Sequence, residues 1–411
     1  MREVEMMTGN TAAAWAARLA NVDYIPAYPI TPQTEIIETL AKWISEGLMK
    51  AKLVQLESEH SMLTAAGTAS CAGARVFTAT SSQGLLYGFE MLYNISGWRA
   101  PLVLVNVSRG VAAPITLEPD HNDVLAARDS GFLQLHAESC QDVFDLVLLA
   151  YRVSEDKNVM LPSLVNMDGF YLSFTREPVR LLDEDDVSFF LPPYEPINPF
   201  RASRPVVKGA AVIGGHVYTY FKHNIHESMD RALEVFEKAA AAFEKMTGRR
   251  HGTVEGYLLD DAEYVLVMSN SFTTIGRKAV LKLRKKGVPA GLVKVVMLRP
   301  FPKKQVVELL KGRKAVAVFD QNLSPGLGGI IHSEVASSLY HERRRPETLL
   351  SVVGGLGGKY MSPEEFEHVF NLLQNPDGLD LTKPVFLFRE DELSDVKRVF
   401  KLAGLQEVDA Q

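Results

Sequence analysis

Apolar positions in this chain fall into two series in which short runs alternate with helical stripes, separated by a polar, proline-rich stretch. In the first series, 11–20 is alanine-rich and helical, 24–28 is a short apolar run ending before Pro29, and 53–56 leads into Glu57-Ser58-Glu59. The small-residue segment 61–72 reads as a closely packed helix, 76–80 as a strand, Ser81-Ser82-Gln83-Gly84 as a turn and 85–95 as a helix. Strands are predicted at 101–107, 133–136 and 159–166, with a helix at 143–153. Such alternation makes an α/β fold with a doubly wound, mostly parallel sheet and helices on both faces.

From about 181 the pattern changes. A charge run, Asp183-Glu184-Asp185-Asp186, precedes the extended proline-rich connector at 192–199. A long helix is predicted over 228–246, with Gly248 as its C-terminal stop. A second α/β series then begins, with strands at 264–268, 291–296, 315–319 and 349–353 and helices at 274–285, 303–310, 330–339 and 363–373. Ser362, Pro363 and two glutamates mark the start of the last helix. A chain of 411 residues exceeds one ordinary core. The division expected is 1–250, with the connector from about 181, and 251–411.

Composition narrows the class. Apolar content of 46%, charged content of 23% and a net charge of −6 describe a globular protein whose main partner is not nucleic acid. No secretory-type segment follows Met1-Arg2-Glu3, and no run of about 18 apolar residues is present, so a cytoplasmic protein without membrane attachment is expected. Cys71 and Cys140 are the two cysteines. An iron–sulfur cluster takes about four thiolates, so neither is expected to ligate one; both should pack as small hydrophobes.

Parallel sheets bind ligands beyond the carboxyl ends of their strands. Thr31, Glu59, Gln83 and Arg109 each follow a predicted strand, as a shared cleft requires. In Tyr28-Pro29-Ile30-Thr31-Pro32-Gln33-Thr34-Glu35, Thr31 is the expected N-cap and Pro32 the first helical residue, with Ile36, Leu40 and Trp43 at helical spacing. A helix start can hold a carboxylate, although Thr31 alone could do no more than cap. The Arg109 fork matches a carboxylate with two parallel hydrogen bonds or, equally, a surface ion pair. Glu59 by itself also reads as a solvated loop charge, with Glu57 on the opposite face. Asp120-His121-Asn122-Asp123 lacks a distant fourth ligand, so hydrogen bonding within the loop is expected and no metal. Gly326-Leu327-Gly328-Gly329 lacks the dinucleotide spacing and reads as a structural turn.

The YPITP stretch stands in order with Glu57-Ser58-Glu59-His60-Ser61, Ser108-Arg109-Gly110-Val111-Ala112-Ala113-Pro114-Ile115, Asp120-His121-Asn122-Asp123, Arg128-Asp129-Ser130-Gly131 and Val165-Asn166-Met167-Asp168-Gly169. With Asp320-Gln321-Asn322 and Gly354-Gly355-Leu356-Gly357-Gly358, these blocks resemble the alpha subunit of pyruvate:ferredoxin oxidoreductase and its 2-oxoacid:ferredoxin relatives over most of the chain. The resemblance implies a thiamine pyrimidine-binding domain followed by a smaller transketolase C-terminal-like domain. The implied activity is oxidative decarboxylation of a 2-oxo acid to acyl-CoA and CO2. Glu59 would serve the aminopyrimidine of thiamine diphosphate, Gln83 the cofactor, Arg109 the substrate carboxylate and Thr31 a substrate hydrogen bond.

Met167-Asp168-Gly169 has methionine where a diphosphate–magnesium motif has glycine. The resemblance therefore assigns the diphosphate and Mg2+ to a beta subunit. It assigns 4Fe–4S clusters to a ferredoxin-like subunit, adds a gamma subunit, and makes coenzyme A the co-substrate. Relatives often carry Asn-Arg-Ala-Leu-Ser-Ala-Pro-Ile where this chain has smaller residues after Arg109. Pyruvate is the first expectation; 2-oxoisovalerate, phenylglyoxylate and a non-catalytic structural subunit stay open.

Overall fold

The computed structural model describes residues 4–404. The first series forms a parallel sheet in the spatial order Leu133–His136, Ser163–Asp168, Val103–Ser108, Phe77–Thr80. Val103–Ser108 and Ser163–Asp168 are buried along their whole length, which is why they are mostly apolar without strict alternation, with polar residues such as Asn106 and Asp168 toward their carboxyl ends. The parallel pair Tyr24–Ala27 and Lys52–Gln55 continues this layer through a bridge between Tyr24 and Val76 and a 2.7 Å hydrogen bond from Thr78 Oγ1 to the Pro26 carbonyl. The chain runs outward from Tyr24–Ala27 to Lys52–Gln55, then returns to Phe77–Thr80 on the other side. Strand order reverses there, the point at which parallel sheets place a ligand crevice beyond their carboxyl ends.

The second sheet has Val385–Phe386, Thr348–Val353, Ala315–Asp320, Tyr264–Met268 and Ala290–Val295 parallel, with Val254–Tyr257 antiparallel at its edge. The next strand, Met297–Arg299, crosses back and pairs antiparallel with Leu133–His136 of the first sheet. The halves are thus joined by backbone as well as by side chains. One apolar cluster contains Leu104 and Leu164 from the first sheet and Val265 and Val293 from the second. Lys294, 2% exposed, crosses the same junction to Asp142 at 2.9 Å and Glu138 at 3.4 Å, and meets Glu255 of its own sheet at 3.3 Å. Burial opposes its charge, but the three carboxylates outweigh burial and hold the ammonium above its ordinary value. No helix among the described residues is long and apolar enough to cross a membrane.

Several elements start elsewhere than their local signals suggest. Thr31 is exposed and is not the N-cap: the helix is Thr34–Ser45, with Gln33 at the cap position. One local and one long-range side-chain bond decide this. Gln33 Nε2 donates to the Tyr28 carbonyl at 2.8 Å and Asn10 Nδ2 to the Pro32 carbonyl at 2.9 Å, which holds 28–33 as a turn. The next helix, Glu59–Ala72, begins earlier than expected because Ser58 Oγ accepts the Ser61 amide at 3.2 Å. The expected helix over 85–95 is two, Ser82–Tyr87 and Phe89–Gly97, parted at Gly88, where a Cβ would strike Leu63. The long helix is Gly215–Thr247, and it ends as expected at Gly248 in the left-handed region. The capping box of Ser362 and Glu365 opens Pro363–Gln374. Cys71 and Cys140 are both buried and free.

Candidate active site

The strand ends bring together the residues that follow them. Arg109, 8% exposed, leaves the buried strand Val103–Ser108 and turns its guanidinium across the crevice. Nη1 donates to the Thr31 carbonyl at 2.7 Å and Nη2 to Gln83 Oε1 at 2.6 Å. Its Nε is buried without a protein partner, so N–H capacity remains for a ligand among the five that an arginine carries. Burial pulls the guanidinium below its ordinary value and Asp123 opposes that; arginine keeps its charge regardless.

Glu59 is 5% exposed in the first turn of its helix, where the free amide groups favour a carboxylate. Its carboxylate makes no hydrogen bond with any described residue. Glu57, by contrast, is exposed and is bonded by the Ser61 hydroxyl. Gly84, next to Gln83, is what admits the Glu59 carboxylate: a Cβ there would overlap Glu59 Oε1 and lie 2.6 Å from Thr80 Oγ1. Thr80 Oγ1 is itself buried and unpartnered. A partnerless buried carboxylate facing a glycine and a free hydroxyl fits the polar edge of an aminopyrimidine.

Behind this cleft lies a polar network that sequence reasoning did not assign. Asp168, fully buried at the end of its strand, lies 2.7 Å from His121 Nε2 and accepts the Ser271 amide (3.0 Å) and hydroxyl from the second half. Burial works against both charges, yet each partner prevails: His121 is held above its ordinary value by Asp168, and Asp168 below its own by His121 and Ser271. The His121 and His136 rings meet edge-on at 6.0 Å, and His136 Nδ1 lies 2.6 Å from Asn270 Oδ1. Asp123 accepts three donors on Oδ2, and burial raises its carboxyl to about 6. The local signal was four adjacent polar residues, 120–123, just ahead of the apolar stretch 124–127.

The loops of the second half finish this wall. The His121 amide donates to the Gln321 carbonyl at 2.8 Å, Leu323 N to Asn122 Oδ1 at 3.0 Å, and Gly358 N to the Pro119 carbonyl at 2.8 Å. Asp320 takes the Ile331 and His332 amides at 2.7 and 3.0 Å, so the turn at 326–329 is held by a carboxylate of this chain. Burial lifts that carboxyl to about 7. Among the described residues no group of three or more His, Cys, Asp or Glu is arranged to hold a metal ion.

Two α/β units, with polar residues gathered at the carboxyl ends of the first sheet, make up the class of fold. The solved 2-oxoglutarate:ferredoxin oxidoreductase from Magnetococcus marinus, with 2-oxoglutarate, coenzyme A and succinyl-CoA bound, superposes with a TM-score of 0.68 at 19% identity, covering 90% of this chain. This chain spans 65% of that protein's chain, just under two thirds. A split-gene transketolase, an inactive beta4 tetramer, is similar with a TM-score of 0.52 and 12% identity, over 92% of this chain and 100% of that one. Both likenesses bear on the fold: each is an α/β architecture that accommodates nearly the whole of this chain.

Residues 15–241 match the family described as "Pyruvate flavodoxin/ferredoxin oxidoreductase, thiamine diP-bdg", and 262–366 match "Pyruvate:ferredoxin oxidoreductase core domain II". The chain is 39% identical to pyruvate synthase subunit PorA of Methanothermobacter thermautotrophicus over 91% of its length and 96% of the relative's. It is 38% identical to ketoisovalerate oxidoreductase subunit VorA of Pyrococcus horikoshii over 86% and 90% respectively. The chain belongs to the pyruvate:ferredoxin oxidoreductase family.

Proposed function

We propose that the chain is the alpha subunit of a thiamine-diphosphate-dependent 2-oxoacid:ferredoxin oxidoreductase, with pyruvate as substrate. The observation that carries this is the Arg109 guanidinium, held by the Thr31 carbonyl and Gln83 with N–H groups to spare, while the unengaged Glu59 carboxylate lies against Gly84, the neighbour of Gln83. Arg109 takes the 2-oxo acid carboxylate through charge-assisted bonds and fixes which way the substrate lies. The exposed Thr31 hydroxyl contributes a further bond at the same end. Glu59 holds the aminopyrimidine ring and shares a proton with it, and Gln83 orients Arg109 from the cofactor side. When bound, thiamine diphosphate supplies the nucleophilic carbon and the sink for the electrons released by decarboxylation.

The remaining parts of the reaction belong to partners: a beta subunit with the diphosphate and Mg2+, a ferredoxin-like subunit with 4Fe–4S clusters, and a gamma subunit. Coenzyme A accepts the acyl group, and the assembly works in the cytoplasm. The buried thiols of Cys71 and Cys140 fit a chain that passes electrons on without ligating a cluster. A branched 2-oxo acid is the second reading, favoured by the near-equal identity to the ketoisovalerate relative and by small residues in Gly110-Val111-Ala112-Ala113. The test is reduction of ferredoxin by the assembled complex over a panel of 2-oxo acids, with Arg109→Ala alongside. Pyruvate-dependent reduction that needs Arg109 supports the proposal. Equal turnover by the variant would remove Arg109 from the site.

A further inference from the structure

We infer that Asp123 is a positioning residue for substrate binding, fixing both ends of the Arg109 side chain's support. Its Oδ2 accepts the Arg109 amide at 3.3 Å, the Ser82 amide at 3.0 Å and Asn106 Nδ2 at 3.0 Å, while Oδ1 accepts the Val124 amide at 2.7 Å. Arg109 and Ser82 follow neighbouring strands, so one carboxylate locks two strand ends in register. Ser82 has φ 48°, a left-handed conformation that needs outside support, and its captured amide provides it. From Ser82 the effect passes on: its hydroxyl donates to Gln83 Oε1 at 2.6 Å, the oxygen that also receives Arg109 Nη2. Asp123 thus sets the guanidinium from its backbone and from its tip without reaching the cleft. Asn106 is braced in turn by Asn166 Oδ1 at 2.9 Å. An amide in place of the carboxylate has one acceptor oxygen for the two sides: with its NH2 toward Oδ2 it faces the Arg109, Ser82 and Asn106 donors, and with its NH2 toward Oδ1 it is set against the Val124 amide, so the side chain is displaced and the support of Arg109 weakened with little change in volume.

The inference rests on Arg109 binding the substrate carboxylate, and the experiment separates the two. In the assembled complex, Asp123→Asn is expected to raise the KM for the 2-oxo acid about tenfold while kcat and the KM for coenzyme A change less than about threefold. The factor is the same for pyruvate and 2-oxoisovalerate, because only their shared carboxylate is involved. A loss of kcat for both substrates in step with a lower Tm would mean mere destabilisation and would overturn it, as would an unchanged KM. If Arg109→Ala leaves KM unchanged, the reading of Arg109 fails and this inference with it. Should Asp123→Asn not assemble, Asn106→Ser releases one of the four donors and is expected to give the same split at about threefold; no split there overturns the inference equally.

Discussion

His121 Nε2 and Asp168 Oδ1 stand 2.7 Å apart in the interior, and the second half closes over them through Ser271. His121 is held above its ordinary value, so its contribution is complete below about pH 6.5 and fades as pH rises through the raised value. Asp168 is held below its own, so its contribution is complete above about pH 4 and fades as pH falls through the lowered value. The pair therefore stabilises most between those limits. His121→Leu should cost about 3–5 kcal/mol near pH 6, since it strands a buried carboxylate. Urea unfolding of both proteins measures it, and a difference under about 1 kcal/mol would refute the pairing.

Arg109→Ala should lower kcat/KM for the 2-oxo acid by about 2–4 kcal/mol of transition-state stabilisation. Arg109→Lys should recover only part of that, because an ammonium cannot make the parallel pair of bonds. Thr31→Ala should cost about 1 kcal/mol, the net worth of a neutral hydrogen bond. Steady-state kinetics of the three complexes give the ranking.

Gly84→Ala tests the cradle beside Glu59. The added methyl falls on Glu59 Oε1 and Thr80 Oγ1, so the carboxylate must move out of its place. The expected result is a complex that assembles but retains less thiamine diphosphate after gel filtration, with a stability loss of about 1–3 kcal/mol. Full retention of the cofactor would show that the carboxylate's position is not needed to hold it.

His136 predicts an acid limb. Burial above all, with His121 nearby, pushes its imidazole down to about 4. Between about pH 6.5 and this value the unfolded chain binds a proton that the folded chain refuses, so stability falls as pH falls, by on the order of 3 kcal/mol in full. His136→Gln removes that proton uptake. Thermal unfolding at about pH 7 and about pH 5 should show the parent losing more than the variant; parallel losses would exclude His136 as the source.

Much of the scaffold was legible because burial on both faces makes strands such as Val103–Ser108 predominantly apolar, starting with the run Val103-Leu104-Val105. The start of Pro363–Gln374 was legible because a capping box is a local device. Thr31 was misplaced as a cap because Asn10 and Gln33 hold its turn, and Asn10 lies far back in the sequence. The first turns of Gly215–Thr247 were missed because Tyr218, Tyr220 and Phe221 are exposed there and no apolar stripe marks the helix. Thr31, Glu59, Gln83 and Arg109 could be gathered from topology alone. Asp123 and Asp168 could not, since their importance comes from donors on other strands and on the second half.

The crossing strand Met297–Arg299 has a consequence for any attempt to express the halves separately. A fragment ending near residue 250 would leave Leu133–His136 with one side unpaired, a bare row of amides and carbonyls beside a buried apolar strand. Such an edge recruits other chains. Residues 1–250 alone should sediment as heterogeneous aggregates, whereas a fragment that carries its own edge strand, or a Lys placed on Leu133–His136, should stay dispersed.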